Sequence, residues 1–467
     1  MAASVQLKET LHLFHVDTLK PEQETILKCL EDKKDCMAVL PTGYGKSLPF
    51  QLYSVMLNRR SPAKKVVVCC PLIALMQDQV QKMSEIPEFR AAYAGSSTAT
   101  DVKIRDGEVD LIYASPEVLV GDQDWRESFR KLDVDLIVID EFHTIATWGE
   151  DEDGSQKTAF RKWFSYLGEL RPLCPNATLL ALSATCTVKI RNRVMKVLNL
   201  NPNETKEIMI SPNKENIKIV AAKVVNDIEE AMLWITDGVA DLGQNFPKTL
   251  IYCNSITDSS KLYSYLIDEL PDCTSVIGMY HSECTKSSKD NILCELQKEE
   301  SPLKVIICTD ALGMGIDVVK CHSVVLYGGS KTIIDLVQKI GRAGRDGENS
   351  VALILFNQYN IRQADGYVKD ILKTKDCRRS ALLSAFDRDG HVQETSASEK
   401  HNCCDICAST CTCEECPMLK LEELFTSTGE NISEMELSES DEDTESYNLS
   451  DYEDESYMMQ HMDNLDV

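Results

Sequence analysis

The stretch CMAVLPTGYGKS, residues 36–47, runs from an apolar block directly into a glycine-rich loop. Gly43 and Gly45 lack side chains that would keep their backbone amides away from phosphate oxygens. Lys46 offers a positive charge for the β- and γ-phosphates, and Ser47 offers a hydroxyl for Mg²⁺. The segment therefore predicts a strand followed by a nucleotide-phosphate site; the alternative is a glycine-rich turn without a ligand.

Similar apolar runs recur along the chain in two series: CMAVLPTG, KVVVCCP, DLIYASPE, DLIVIDE and TLLALSAT, then KTLIYCNS, KVIICTDA and HSVVLYGG. Runs that are apolar on both faces and alternate with amphipathic helical stretches are typical of parallel sheets covered by helices. We therefore predict an α/β protein with two lobes, residues 1–205 and 206–365. The boundary is placed at the linker-like LNLNPNET (198–205).

Two further motifs carry charges suited to phosphate chemistry. DLIVIDE ends in Asp140 and Glu141, which are predicted to hold Mg²⁺ and to activate a water molecule. The alternative, an exposed acidic pair, is disfavoured by the apolar run before it. QKIGRAGRDG (338–347) places Arg342 and Arg345 beside glycines, where arginine can stabilise charge on a transferring phosphoryl group. The alternative there is a basic loop.

Charge and composition limit the class of protein. The chain has 467 residues and a net charge of −26. Residues 421–467 contain sixteen Asp and Glu but no Lys or Arg, so residues 1–420 carry a net charge of −10. No global basic patch indicates nucleic acid, and no uninterrupted apolar stretch reaches the roughly 18 residues of a membrane helix. We expect an intracellular protein with no membrane partner. Residues 421–467 are predicted to form a disordered acidic tail, a possible docking site for a protein partner.

Six of the nineteen cysteines lie in residues 403–416. In a reducing compartment, a metal explains this crowding better than disulfide bonds do. Cys404 and Cys407 have the two-residue spacing of a zinc knuckle; the alternative is a set of free structural cysteines.

The ordered motifs resemble superfamily 2 helicases and, within them, the RecQ family of 3′→5′ DNA helicases. They are LKPEQ (19–23), PTGYGKS (41–47), PLIALMQDQV (71–80), YASPE (113–117), ALSAT (181–185), YCNS (252–255), TDALGMGID (309–317) and GRAGRDG (341–347). The resemblance spans residues 10 to 420. It implies two RecA-like lobes, a small helical zinc-binding module over 366–420, the cofactors ATP, Mg²⁺ and Zn²⁺, and DNA as partner, both as single strand and as forked duplex.

The resemblance also implies roles for individual residues. The implied catalytic residues are Lys46, Asp140, Glu141, His143, Gln338, Arg342 and Arg345. The implied nucleotide-binding residues are Lys20, Gln23, Thr42, Gly43, Gly45, Lys46, Ser47, Asp140, Gly315 and Asp317. Three positions depart from the family: Lys20 replaces an arginine, Val16 replaces a base-stacking tyrosine, and Phe142 replaces a small residue.

The residues implied to face DNA are Gln77, Ser115, Trp148, Phe160, Arg161, Asn254, Ser255, Gly313 and Met314. Trp148, Phe160 and Arg161 belong to a loop that senses single-stranded DNA in this family. Here the loop carries an insertion of eight residues within EDEDGSQKTA (150–159). Packing of Trp148 in the core is the alternative.

For zinc, CRRSALLSAF (377–386) and CCDIC (403–407) resemble the start and the end of the family's metal segment. The implied ligands are Cys377, Cys404 and Cys407 with either His401 or Cys403. Cys411, Cys413 and Cys416 are left open, binding a second ion or none.

RecQ proteins often continue with a winged helix and an HRDC domain, and we expect this chain to be a minimal form without them. The resemblance implies ATP-dependent DNA helicase activity. Because no winged helix is expected, the alternative is a DNA-stimulated translocase or annealing factor that unwinds weakly. A scaffold that docks partners through its acidic tail is a third possibility, which the ATPase motifs disfavour. RRSPAKK (59–65) is a weak nuclear signal, so nuclear localisation is expected.

Overall fold

The computed structural model describes residues 2–147, 161–312, 318–387, 400–413 and 416–428. The chain consists of two compact units, Met1–Pro212 and Asn213–Val467. Several predictions lie outside the described residues: those for the insertion 150–159, for the tail from residue 429, and for Trp148, Phe160, Gly313, Met314, Gly315 and Asp317.

The first unit is built on a seven-stranded parallel sheet. Its strands are β1 (Cys36–Val39), β2 (Lys64–Cys69), β3 (Ala91–Tyr93), β4 (Leu111–Ala114), β5 (Asp133–Ile139), β6 (Thr178–Ser183) and β7 (Lys206–Met209). Their order across the sheet is β3-β4-β2-β5-β6-β1-β7, and every pair is parallel. This order places β1 and β5, which lead into the phosphate loop and the acidic pair, on either side of β6.

Helices cover both faces of that sheet. They are α1 (Ala2–Leu13), α2 (Pro21–Glu31), α3 (Leu48–Arg60), α4 (Ile73–Met83), α5 (Thr98–Arg105), α6 (Gln123–Lys131), α7 (Thr144–Thr147), α8 (Leu170–Leu173) and α9 (Val188–Val197). A π-helical turn covers Glu117–Gly121, and a 3₁₀ helix covers Lys162–Glu169. On one face, Ile26 and Leu30 of α2 and Phe50 of α3 pack with Val66 and Leu136 in one core.

The second unit has a six-stranded parallel sheet. Its strands are β8 (Ile217–Lys223), β9 (Thr249–Tyr252), β10 (Ile277–Tyr280), β11 (Val305–Cys308), β12 (Ser323–Tyr327) and β13 (Ser350–Phe356), in the order β10-β11-β9-β12-β13-β8. The helices are α10 (Ile228–Ala231), α11 (Leu233–Leu242), α12 (Ile256–Glu269), α13 (Lys286–Leu296), α14 (Ile333–Ile340), α15 (Gly366–Lys373), α16 (Arg378–Ser384), α17 (Lys400–Cys403), α18 (Asp405–Ser409) and α19 (Lys420–Thr428). None of the described helices combines the length and apolar character that a membrane span requires.

The predicted α/β class with two parallel-sheet lobes is confirmed. All eight apolar runs named above contain strands, and most of their strand residues are buried because the sheets are covered on both faces. The sequence analysis did not single out β3, β7, β8, β10 or β13.

The predicted boundary after residue 205 is wrong. β7 begins at Lys206 and pairs with β1, from Cys36 opposite Lys206 to Val39 opposite Met209. The segment therefore completes the edge of the first sheet, and the boundary between the units follows Pro212.

The start of the predicted disordered tail at residue 421 is also wrong. The first turns of that segment form α19, whose Leu421 and Phe425 are buried in the core of the second unit. The Phe425 ring meets Trp234 edge-on, with centroids 5.6 Å apart. Glu422 forms a buried ion pair with Lys218 of β8, with 2.7 Å between Oε1 and Nζ. Residues 421–428 are thus part of the folded second unit.

Candidate active site

The phosphate loop between β1 and α3 has a backbone shape that its glycines permit. Gly43 and Gly45 have φ angles of +85° and +88°, in the left-handed region that residues with a Cβ avoid. At Gly45, a Cβ would also lie 2.7 Å from Nε2 of Gln23. The loop leads into the 13-residue helix α3, whose N-terminal end favours anions. Thr42, Lys46 and Ser47 thus lie together beyond the carboxyl end of β1.

Gln23 holds the phosphate loop in this shape. Its buried amide nitrogen donates hydrogen bonds to the carbonyl oxygens of Tyr44 and Gly45, each over 3.1 Å. Its amide oxygen accepts a hydrogen bond from the backbone N–H of Lys20 at 2.9 Å. The Lys20 ammonium also lies over the Tyr44 ring, 4.2 Å from its centroid. Two of the predicted nucleotide-binding residues, Lys20 and Gln23, therefore contact the loop directly. Tyr44 also belongs to this group, although it was not predicted from the sequence.

The acidic pair lies beyond the end of β5 and faces Lys46. Glu141 Oε1 accepts a hydrogen bond from Lys46 Nζ at 3.0 Å, and the two side chains are only 12% and 14% exposed. Glu141 has a φ of +50°, an uncommon backbone conformation for a side chain of this size and one found at functional sites. The structure thus brings the phosphate-binding lysine and the predicted water-activating carboxylate into contact.

The two acids have pKa values shifted in opposite directions. Burial, together with the neighbouring Glu141 charge, raises the pKa of Asp140 to about 6. Burial also acts to raise the pKa of Glu141, but the Lys46 charge and the His143 hydrogen bond outweigh it and hold that pKa well below its usual range. Glu141 is therefore held as a carboxylate beside Lys46 and His143.

His143 links the acidic pair to the end of β6. Its Nδ1 lies 3.3 Å from Glu141 Oε2 and 3.0 Å from Ser183 Oγ. The Ser183 hydroxyl donates to the Thr185 carbonyl oxygen at 2.9 Å, which leaves its oxygen as the hydrogen-bond acceptor for an Nδ1–H of the imidazole. Ser183 and Thr185 lie in ALSAT, a motif quoted above without assigned residues. The geometry gives them a role in orienting His143.

A separate group of cations lies in the second unit. Gln338 is on α14, and Arg342 and Arg345 follow that helix; Arg342 is 5% exposed. Lys214 donates hydrogen bonds from Nζ to the carbonyl oxygens of Gly341 at 3.0 Å and of Ala343 at 3.4 Å. Burial lowers the pKa of Lys214 to about 8, and the charges of Arg345 and Arg342 add to this effect. Lys214 thus belongs to the arginine loop, although the sequence analysis did not single it out.

The same helix is tied to the TDALGMGID motif. Lys339 of α14 is 7% exposed, and its Nζ lies 2.6 Å from Asp310 Oδ1. The ion pair fixes the described start of that motif, Thr309 to Leu312, against the helix that precedes the arginines.

Comparison with known proteins decides the family. The DEAD/DEAH box helicase model matches residues 20–193, and the helicase conserved C-terminal domain model matches residues 231–347. The bifunctional 3'-5' exonuclease/ATP-dependent helicase WRN of Mus musculus is 29% identical over 422 residues, which are 84% of this chain and 28% of that protein. The probable ATP-dependent DNA helicase RecS of Bacillus subtilis is 33% identical over 357 residues, 75% of this chain and 66% of that protein. The chain belongs to the RecQ family of superfamily 2 helicases.

This RecQ chain spans between 28% and 66% of the length of these two curated relatives. Among solved structures, the Mycobacterium smegmatis helicase Lhr, bound to ssDNA and AMP-PNP, aligns with a TM-score of 0.62 and 16% identity. The alignment covers 82% of this chain and 50% of that one. At this identity the likeness concerns the fold alone.

Several of the residues predicted to face DNA form hydrogen bonds within their own unit. In the first, Gln77 donates to the Tyr93 hydroxyl at 3.1 Å, and Ser115 Oγ accepts from the Val118 N–H at 3.4 Å. In the second, Ser255 caps α12 by accepting from the Asp258 N–H at 3.0 Å. These contacts position the two motif segments.

Asn254 lines an open cleft in the second unit with about 530 Å³ of empty space. Its Nδ2 donates to the carbonyl oxygen of Gly328 at 3.2 Å, whose φ is +85°. The cleft is also lined by Lys331, Arg362 and Tyr359, and the Tyr359 side chain is 50% exposed. The sequence analysis did not single out these last three residues, because they lie outside the quoted motifs.

Arg161, which the resemblance implies to face DNA, is paired with an acidic residue of the first unit. Its guanidinium forms a bidentate ion pair with Glu117, with Nε 2.9 Å from Oε1, and also donates to the Pro71 carbonyl oxygen. The side chain is 14% exposed. These three donor nitrogens are thus engaged within the first unit, and the contact of Arg161 with DNA stays a prediction.

The cysteine-rich segment of this RecQ chain forms two separate groups. Cys377, Cys403, Cys404 and Cys407 place their Sγ atoms within 4.8 Å of one another, with 3.5 Å between Cys377 and Cys403. Four thiolates at such distances fit a tetrahedral zinc ion, whose Zn–S bonds of about 2.3 Å separate sulfur atoms by about 3.8 Å. Of the two candidates for the fourth ligand, Cys403 belongs to this group and His401 does not. His401 lies with Cys411, Cys413 and Cys416.

Two buried arginines fasten the first cysteine group to the second unit. Arg378 pairs with Asp405 through Nε and Oδ1 at 2.7 Å and through its second terminal nitrogen and Oδ2 at 2.9 Å. Arg379 donates to the carbonyl oxygens of Lys214 and Cys403 at 2.7 and 3.1 Å. The residues predicted to form a zinc module therefore pack on β8 and its approach.

Proposed function

We propose that this RecQ protein is an ATP-dependent DNA helicase that couples ATP hydrolysis to 3′→5′ movement along single-stranded DNA and to duplex unwinding. The observation that carries the proposal is the contact of Lys46 with Glu141 across 3.0 Å at the ends of β1 and β5. It joins a phosphate-binding cation to an ionised, oriented carboxylate, which are the two groups that hydrolysis of a nucleoside triphosphate requires. A non-catalytic scaffold has no need of this pair.

The residues present fit Mg²⁺-ATP. Gly43, Gly45 and Lys46 would receive the phosphates, and Ser47 and Asp140 would hold the magnesium ion, which supplies charge neutralisation when bound. Glu141 would accept the proton of the attacking water, because its carboxylate faces Lys46 at the phosphate loop. His143, held by Ser183, keeps the Glu141 carboxylate oriented. We assign to Arg342 and Arg345 the stabilisation of charge on the transferring phosphoryl group.

We place part of the DNA strand in the cleft lined by Asn254, Lys331, Tyr359 and Arg362. An exposed aromatic ring beside cations suits a single strand, because bases stack on the ring while phosphates meet the charges. The cleft supplies local positive charge on a chain whose net charge is −26. The similarity of the chain to RecS, a probable ATP-dependent DNA helicase, supports DNA as the partner.

We further propose that Cys377, Cys403, Cys404 and Cys407 hold one structural zinc ion. The ion would join the start of α16 to the α17–α18 segment; residues 385–399 lie between α16 and α17 along the chain. Cys404 is buried and makes an isolated bridge with Ile219 of β8, and the other three cysteines are half-buried, which suits a structural rather than a catalytic metal.

The test compares ATP turnover with strand separation. ATPase rate is measured without nucleic acid, with single-stranded DNA and with single-stranded RNA, beside unwinding of duplexes carrying 3′ or 5′ single-stranded tails. We expect stimulation by DNA and unwinding only from the 3′ tail. Stimulation without unwinding would leave a translocase or annealing factor, stimulation by RNA alone would overturn the DNA assignment, and absence of hydrolysis would overturn the enzyme.

A further inference from the structure

The second cysteine group contains three thiols and one imidazole. Cys411 and Cys413 have Sγ atoms 3.2 Å apart, and the Sγ atoms of Cys413 and Cys416 are 3.0 Å apart. His401 Nδ1 lies 3.5 Å from Cys413 Sγ and 3.7 Å from Cys411 Sγ. All four ligand atoms lie within 4.8 Å of one another, and none belongs to a residue of the first group.

These separations suit a shared ion better than a disulfide bond. Tetrahedral zinc with Zn–S bonds of about 2.3 Å and a Zn–N bond of about 2.0–2.1 Å separates sulfur from sulfur by about 3.8 Å and sulfur from nitrogen by about 3.6 Å. The two S–N distances match closely, and both S–S distances are shorter than the tetrahedral value. They remain well beyond the roughly 2.05 Å of a disulfide bond. Four soft or borderline ligands around one point are the donor set of a Cys₃His zinc site.

We propose that His401, Cys411, Cys413 and Cys416 form a second zinc site, distinct from the site of Cys377, Cys403, Cys404 and Cys407. The protein then carries two zinc ions in this segment. The two sites divide helix α17 between them, because His401 ligates the second ion and Cys403, two residues later, ligates the first. This proposal does not depend on the helicase function.

The site has a structural task that the fold makes visible. Only residues 417–419 separate Cys416 from α19, whose Leu421 and Phe425 are buried in the second unit. A zinc ion that joins His401 to Cys411, Cys413 and Cys416 fixes the chain immediately before that helix. The three cysteines and α19 follow the last residue of the first zinc site, Cys407, so that site alone leaves the approach to α19 without a metal anchor.

The first experiment counts zinc ions per folded chain. The full-length protein is purified under reducing conditions, passed through a desalting column, and analysed by inductively coupled plasma mass spectrometry. We expect two zinc ions per chain in the wild type. One ion is expected in Cys413→Ser and in His401→Ala, and also in Cys407→Ser, which removes a ligand of the first site. Two are expected to remain in Cys294→Ser, an exposed cysteine outside both groups.

Two further variants separate ligation from general damage. His401→Cys replaces one zinc ligand with another, so we expect it to keep two ions where His401→Ala keeps one. Phe425→Ala removes the α19 anchor without touching a ligand, so it should lower the melting temperature and keep two ions. Amide hydrogen exchange in α19 should become faster in both Cys413→Ser and Phe425→Ala.

Three outcomes would overturn the second site. The first is one zinc ion per wild-type chain that Cys413→Ser retains. The second is alkylation of Cys411, Cys413 and Cys416 in the native protein at the rate of Cys294. The third is a disulfide between Cys413 and Cys416 in the reduced preparation, seen as the loss of two hydrogen atoms in the intact mass. The second and third outcomes are measured on folded wild-type chain, so they do not depend on a variant being stable.

Discussion

Replacement of Glu141 by glutamine separates the two tasks of the catalytic site. The variant keeps the size of the side chain and the backbone conformation at φ +50°, but it removes the charge that can accept a proton. Loss of a general base lowers turnover by about 10²–10⁴-fold. We therefore expect DNA-stimulated kcat for ATP to fall by at least about a hundredfold, or about 2.7 kcal/mol at 1.36 kcal/mol per tenfold.

Nucleotide binding should change in the opposite direction. Lys46 Nζ lies 3.0 Å from Glu141 Oε1, so a phosphate that binds this cation must compete with the carboxylate. The attraction at that distance is about 1.4 kcal/mol at a dielectric constant of ~80 and about 5.5 kcal/mol at ~20. With the side chains 14% and 12% exposed, the lower figure is a floor. Glu141→Gln should tighten binding of a non-hydrolysable ATP analogue by about tenfold or more.

The assay measures analogue affinity by fluorescence titration and kcat by phosphate release, both at saturating Mg²⁺. Glu108→Gln makes the same chemical change at an exposed position in the first unit and should leave both values unchanged. Lys46→Ala should weaken analogue binding and abolish turnover. Wild-type turnover in Glu141→Gln would refute the assignment of the base, and weakened analogue binding would refute the competition for Lys46.

Three other perturbations test separate parts of the molecule. Tyr359→Ala should weaken single-stranded DNA binding by about 1–3 kcal/mol, the contribution of one base stack. Tyr367 is similarly exposed but lies outside the cleft, so Tyr367→Ala should leave the affinity unchanged. Equal losses of affinity in anisotropy titrations would contradict the placement of the strand in the cleft. Cys407→Ser should release the first zinc ion and lower the melting temperature, since a structural metal contributes folding free energy; an unchanged melting curve would contradict this. Asp135 is buried and accepts hydrogen bonds from Lys64 and Tyr53 at 2.7 and 2.6 Å, so Asp135→Asn should cost about 1–3 kcal/mol of unfolding free energy at neutral pH. Burial acts to raise the pKa of Asp135, but those donors and Lys33 lower it. The stabilisation by Asp135 is thus complete above the ordinary Asp pKa of about 3.9 and is lost as pH falls below it. Urea titrations should therefore show the unfolding free energies of the two proteins converging in acid, and a difference that stays constant with pH would contradict the shift.

Most of the fold was predictable because its strands are nearly continuous apolar runs that end in recognisable loops. β7 escaped prediction for a physical reason: it is an edge strand of four residues, KEIM, with polar residues that face solvent at its start. The boundary at residue 421 failed because the acidic composition of the tail as a whole hides LEELF (421–425). Its Leu421 and Phe425 are buried in the core and Leu424 packs against it, which is enough to hold α19 there.

Site residues were predictable where the chemistry sits in consecutive letters, as in the phosphate loop and the acidic pair. Partners from distant segments were not: Ser183 meets His143 only because β6 lies beside β5. Chain spacing also could not choose between His401 and Cys403. Both residues lie on the one-turn helix α17, and the fold directs one to each cysteine group. The Glu117 partner of Arg161 was also hidden, because the sequence shows the charge of Arg161 but not the carboxylate that pairs with it.

The arrangement of Gln23 has a consequence for how the enzyme distinguishes one nucleobase from another. Both N–H bonds of its amide are given to the carbonyl oxygens of Tyr44 and Gly45. A purine that takes a hydrogen bond from this amide must draw it away from the phosphate loop, and so changes the loop's shape. The identity of the base is then communicated to the far end of the same nucleotide. A triphosphate with the wrong base would be penalised in the rate at which its terminal phosphate is cleaved, even at concentrations that fill the site.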